Sequence, residues 1–151
     1  MEVSSRRNKY IFDVKRKYTF ILGDSGTGKT KLGVLLKRSK QAGGNRIRVN
    51  CSVPVVLVDS VELMEKFYKD EINTKAIYVI DEDVIDGLVS KDSGKRFAEC
   101  TEYMSAYFVL MSKRSIHFVN DCFKDYMKFV VSTLDNCTNM AGVEYAKIIV
   151  G

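Results

Sequence analysis

The stretch that most narrows what this chain can fold into is residues 17–30, KYTFILGDSGTGKT. An apolar run, Tyr18–Leu22, breaks into a glycine-rich turn, which leads into Lys31-Leu32-Gly33-Val34-Leu35-Leu36, a good apolar helix face. The run has the composition of a buried strand. Gly23, Gly26 and Gly28 carry no Cβ, so the backbone can take positive φ and close around an anion. Successive N–H groups then point inward, and the start of the following helix adds the positive end of its dipole. Gly23, Gly28, Lys29 and Thr30 satisfy G-x-x-x-x-G-K-[ST], the Walker A pattern. In it the lysine reaches the β- and γ-phosphates and the hydroxyl approaches Mg²⁺. At average residue usage the pattern arises by chance in about one in 200 chains of this length. A glycine-rich turn before an ordinary helix is the competing reading, and the flanking strand and helix weigh against it.

Length and composition bound the rest. At 151 residues, 46% apolar and 28% charged, the chain is expected to be one domain over 1–151, with residues 1–9 flexible. No apolar run approaches the ~20 residues of a membrane span, and the polar, basic start is no signal peptide. The expectation is a cytoplasmic protein with no membrane partner. Cys51, Cys100, Cys122 and Cys137 are scattered without a C-x-x-C pair, as expected of reduced, packed thiols. Charge is uneven: residues 1–50 carry 13 Lys/Arg against 3 Asp/Glu, and residues 51–151 carry 11 against 16. A basic N-terminal third can attract nucleic acid or an acidic protein, although a solvated basic surface looks the same in sequence.

Along the chain, residues 10–14 have strand composition and could form a hairpin with the 18–22 strand. After the glycine turn the first helix is predicted over 29–40, stopped by Gly43-Gly44. Residues 46–49 alternate like a short exposed strand, and Val55–Val58 reads as a buried parallel strand. Asp59 is the expected N-cap of the next helix, with Glu62 three residues on. A strand over 76–80 follows, then a helix over 95–105 and a strand over 107–111. Phe123, Tyr126, Met127, Val130, Val131 and Leu134 form a helical stripe opened by Asn120 or Asp121, and the last strand is 145–150. Alternating strands and helices predict an α/β fold, a three-layer sandwich around a mostly parallel sheet.

The second informative stretch is Ile77-Tyr78-Val79-Ile80-Asp81-Glu82. A carboxylate at the tip of a buried strand, here Asp81, can hold Mg²⁺ through its water shell. The next, Glu82, can orient or deprotonate an attacking water. Asp83 and Asp86 are expected to cap the following helix or face solvent. His117, the only histidine, has no evident partner.

GDSGTGKT at 23–30 together with IYVIDE at 77–82 resembles the P-loop NTPases that carry a catalytic glutamate, the group containing AAA+ and RecA-like ATPases. In overall size the chain also looks like small AAA-like ATPases of bacterial mobile elements. The resemblance implies a P-loop core with strand order 5-1-4-3-2, taking 145–150 as the fifth strand. It implies a sensor strand at 107–111 with Ser112 at its tip. Gly23, Asp24, Ser25, Gly26, Thr27, Gly28, Lys29 and Thr30 would bind ATP, Thr30 and Asp81 would hold Mg²⁺, and Glu82 would be catalytic. Arg114 would act as an arginine finger in a neighbouring subunit of a homo-oligomer, or be a surface residue. The helical lid of AAA+ proteins and the N-K-x-D of GTPases have no counterpart, which favours ATP and an engine completed from outside. A Mg²⁺-dependent ATPase is thus the leading expectation. A small-molecule or nucleotide kinase and a non-hydrolysing ATP-dependent switch are the alternatives.

Overall fold

The computed structural model describes residues 1–5, 8–11, 14, 16–22, 29–41, 47–69, 75–87, 91–138 and 144–150, with backbone alone for 8, 29–31, 67, 69, 91–92, 132–138 and 144–150. Chain order is β1 (Glu2–Ser4), β2 (Asn8–Ile11), β3 (Tyr18–Leu22), α1 (Lys29–Ser39), β4 (Arg48–Asn50), β5 (Val55–Val58), α2 (Val61–Lys69) and β6 (Ile77–Ile80). It continues with α3 (Glu82–Gly87), α4 (Lys91–Thr101), β7 (Tyr107–Ser112), α5 (Ile116–Phe123), β8 (Val130–Thr138) and β9 (Glu144–Val150). The strands form one sheet in the order β4-β1-β2-β9-β8-β3-β7-β6-β5. From β8 to β5 every neighbouring pair is parallel. The fold is therefore α/β, with a five-stranded parallel sheet flanked by helices.

Strand periodicity sorts the apolar side chains onto two faces. Tyr18 and Phe20 of β3, Tyr78 and Ile80 of β6, and Phe108 and Leu110 of β7 share one core with Met64, Phe97, Val119 and Phe123 from the helices. Ile21, Ile77, Val79, Val109 and Met111 face the other core with Leu32, Leu35 and Leu36 of α1. Each fully buried side chain of this kind contributes roughly 1.5–3 kcal/mol. Rings knit the first core: Phe108 stacks on Tyr18 at 5.5 Å and on Tyr78 at 5.6 Å between centroids, and meets Phe97 edge-on at 5.7 Å.

So α1 lies on one face and α2, α3, α4 and α5 on the other. A single crossover hand demands this. The chain steps outward from β3 to β5 through α1, then returns through β6, β7 and β8 in the opposite direction. The sheet is also strongly curled. Helix α1 touches β5 at one end of the order and β1 and β4 at the other. Nine flat strands would span about 38 Å and a helix only about 10 Å, so the sheet wraps around α1.

Several local expectations are corrected. Strand β2, which takes up the start of the expected 10–14 strand, does not form a hairpin with β3; it pairs with β1 and β9. Residues 2–4 form β1, whose Val3 is fully buried. The cap of α2 is Ser60, not Asp59: its Oγ accepts from Leu63 N at 3.1 Å, while Asp59 pairs with Lys37 at 3.8 Å. Helix α4 starts and ends four residues earlier than the expected 95–105.

The largest correction is the 123–134 stripe. It is not a helix: α5 ends at Phe123, and β8 begins at Val130. Ser115 is the N-cap, with Oγ accepting from Phe118 N, and not Asn120 or Asp121. Phe123 and Met127 are buried as the stripe requires, but Tyr126 is 37% exposed. Val130 and Val131 pair with β3 instead, because β-branched side chains suit a strand with partners on both sides. In consequence β8, not 145–150, lies beside β3. The 145–150 segment belongs to β9, antiparallel to β8 and parallel to β2.

Candidate functional site

The carboxyl ends of four parallel strands, β3, β7, β6 and β5, line up along one edge of the sheet. Leu22, the last residue of β3, is level with Ser112, the last of β7. Ile80, the last of β6, is level with Leu110, so Asp81 falls one residue short of Ser112. Val58 ends β5 level with Ile80, and its carbonyl accepts from Asp81 N at 3.0 Å. Two strand spacings, about 10 Å, separate Asp81 from the end of β3.

Within this edge the strand order reverses between β3 and β7. The helix after β3 leaves to one face and the helix after the adjacent β7 leaves to the other. Adjacent strands whose connections diverge open a gap at their carboxyl ends, where open α/β sheets bind ligands. The glycine turn begins at the β3 side of this gap. Gly23, Asp24, Ser25, Gly26, Thr27 and Gly28 lie outside the described residues. Lys29 and Thr30 form the first turn of α1, whose leading N–H groups lack helical acceptors and carry the positive dipole end.

Asp81 stands where β6 becomes α3. Its carbonyl accepts from Val84 N and Ile85 N at 3.1 Å, and its Oδ1 accepts from Glu82 N at 2.8 Å. Its carbonyl thus accepts the first bonds of α3 and its carboxylate takes up the N–H of the first helical residue. Burial pushes the Asp81 carboxyl up from its ordinary value. The Glu82 N–H opposes that shift, and the charges of Asp83, Glu82 and Asp59 add to it. A half-buried carboxylate among three other acids is an electronegative spot that a cation would relieve. Among the described residues no group of three or more His, Cys, Asp or Glu is placed to hold a metal ion. A Mg²⁺ held by one carboxylate, one hydroxyl, phosphates and water needs no such group. Glu82 opens α3 and is half-buried, while Asp83 is exposed.

Ser112 is 1% exposed, and its Oγ accepts from Arg114 N at 3.0 Å. Among the described residues its O–H has no acceptor. The Arg114 side chain turns back within the chain: Nε donates to Asp86 Oδ1 at 3.2 Å, and the guanidinium lies 5.0 Å from the centre of the Phe118 ring. Sequence reading left Asp86 to solvent or a cap. Nothing local could have revealed its partner, which stands 28 positions away.

A concavity of about 90 Å³ lies in the helical layer among Val61, Met64, Tyr68, Val84 and Arg96. Arg96 bridges it, donating to both carboxylate oxygens of Glu65 with its guanidinium 5.0 Å from the Tyr68 ring centre. No sequence motif marked these residues.

No family model, curated protein or solved structure matches the chain. Among the described residues no helix is long and apolar enough to cross a membrane, and Cys51, Cys100 and Cys122 are free thiols.

Proposed function

We propose that the chain is a P-loop ATPase core that binds ATP with Mg²⁺ and hydrolyses the β–γ phosphoanhydride bond. The observation that carries this reading is the setting of the Walker A sequence. It joins β3 to α1 at the gap where neighbouring connections diverge, with Asp81-Glu82 ending the next strand but one. Counted along the chain from β3, the parallel strands β8-β3-β7-β6-β5 read 5-1-4-3-2, which supports a P-loop core with β8 as its fifth strand.

On this reading the loop amides of residues 23–28 and Lys29 hold the phosphates, where fixed donors cost no reorganisation as charge develops. Thr30 and Asp81 would hold Mg²⁺, which supplies charge neutralisation to the phosphate oxygens when bound. Glu82 orients the attacking water and accepts its proton, and the Ser112 hydroxyl donates toward the terminal phosphate. Arg114 already has an intrachain carboxylate partner, so its guanidinium is not counted in this set. Without that charge, turnover by the isolated chain is slow and rises with self-association or a partner. The exposed Arg38, Lys40 and Arg48 suit a nucleic acid or an acidic protein surface.

The test is calorimetric titration of ATP with Mg²⁺ into the purified chain and its Lys29→Ala variant, together with steady-state phosphate release by wild type and Glu82→Gln. Binding lost in the first variant and hydrolysis lost in the second support the reading. Equal hydrolysis by wild type and Glu82→Gln removes Glu82 from the mechanism. Label transferred to an acceptor hydroxyl in place of water makes the protein a kinase.

A further inference from the structure

We propose that the Asp86–Arg114 pair is a strap that sets the orientation of the short helix bearing Glu82, which makes both members positioning residues for ATP hydrolysis. The inference rests on the reading of Glu82 given above. Helix α3 has only six residues, Glu82–Gly87, far below the length at which a helix holds itself in water. Burial of Val84 and Ile85 fixes one side of it. Glu82 and Asp86 are four apart and so lie on one face, one turn above the other. Holding Asp86 therefore fixes the angle at which Glu82 is presented.

Arg114 is suited to that task because its own position is over-determined. Its root is tied to the end of β7 by the bond from Arg114 N to the buried Ser112 Oγ. Its guanidinium rests on Phe118 of α5, and its Nε reaches across to Asp86 Oδ1. The strap thus joins the segment after β6, carrying Asp81 and Glu82, to the segment after β7, carrying Ser112. The second segment flanks the gap between β3 and β7, and the first lies one strand further out. An ordinary surface ion pair is the competing account, and the side chains are 46% and 28% exposed. Such a pair contributes little to global stability. The strap acts on alignment instead, where a displacement of about 1 Å can cost up to 100-fold in rate.

Four full-length variants test it: Asp86→Asn, Arg114→Gln, the charge-reversed double variant Asp86→Arg/Arg114→Asp, and Asp86→Asn combined with Glu82→Gln. The expected result is a fall in kcat of about tenfold for each single variant, with KM for ATP within about twofold. The charge-reversed pair recovers most of the loss, and Asp86→Asn adds nothing once Glu82 is Gln, because the two act through one group. Hydrogen–deuterium exchange of residues 82–87 without nucleotide rises in Arg114→Gln while the β6 and β7 amides stay protected. Hydrolysis and exchange that are both indifferent to Asp86 and Arg114 would overturn the strap alone. No hydrolysis by the wild type overturns the positioning role through the reading on which it rests, and that failure is distinct because the exchange difference persists.

Discussion

Leu22 and Ser112 are register partners at the ends of two adjacent parallel strands whose onward helices leave to opposite faces of the sheet. This one pairing puts the ends of β3 and β7 side by side at the point where the onward connections diverge. It makes Ser112→Ala informative. The lost Oγ accepts only from Arg114 N among the described bonds, so unfolding free energy by urea should stay within about 1 kcal/mol of wild type. If Ser112 donates to the terminal phosphate, ATP turnover falls at least about tenfold. Unchanged turnover would take Ser112 out of the site.

Phe108 is the hub of the first core. It is fully buried and touches the rings of Tyr18, Tyr78 and Phe97. Phe108→Ala is expected to cost about 3–5 kcal/mol through lost transfer energy and an unfilled cavity. Phe108→Leu keeps much of the volume and should cost about 1–2 kcal/mol. Chemical denaturation of the two variants checks both the size and the order of the effects.

Tyr18 links β3 to α4 through a 2.6 Å bond with Thr101 Oγ1, which also donates to Phe97 O. Burial pushes the Tyr18 phenol up; the Thr101 bond opposes this and the Glu102 charge adds to it. With the folded value above the unfolded one, wild-type stability is intact below about pH 10 and falls as pH rises through the folded value. Tyr18→Phe loses one hydrogen bond, about 1 kcal/mol at pH 8, but escapes the alkaline loss. The gap between the two proteins should therefore narrow from pH 8 to pH 11 in urea titrations. A gap that widens would contradict the assignment.

Two helical glycines should respond in opposite directions to alanine. A Cβ on Gly94 would sit 2.8 Å from the Cys122 carbonyl oxygen and 3.4 Å from the Phe123 ring, so α4 and α5 approach closely there only because Gly94 has no side chain. Gly94→Ala should cost about 1–3 kcal/mol. A Cβ on Gly33 meets nothing within 4 Å, and Gly33→Ala should gain about 0.5–1 kcal/mol from helix propensity and a less free unfolded chain. Thermal melts of the two variants, one shifted down and one up, are the check.

Much of the candidate site was legible in residue order. Gly23 to Thr30 and Asp81-Glu82 are local patterns, and the strand preceding each is a short apolar run that periodicity reveals directly. That Ser112 would stand at the tip of a strand needed only a correct strand end, whereas its level with Leu22 came from the pairing of β3 with β7, and the start of α3 fell at Asp81 where Asp83 and Asp86 were the expected caps. The Asp86–Arg114 contact was not legible, since it depends on how two separate turns are brought together over β6 and β7.

By itself, then, the sequence determined which segments are strands or helices wherever burial on a regular period decided the matter, as at Tyr18–Leu22, Ile77–Ile80 and Leu32-Leu35-Leu36. Tertiary structure alone decided the rest. The 123–134 stripe has spacings that satisfy a helix, but Val130 and Val131 find ladder partners in β3 on one side and β8 finds β9 on the other. The β3 partners are more than 100 positions away in sequence, and the hydrogen bonds of the two ladders outweigh a local preference of a few tenths of a kcal/mol per residue. The same non-local pairing moved β2 away from β3 and wrapped the sheet around α1. A strand's neighbours are chosen by the closing of the whole sheet, and no window of sequence contains that choice.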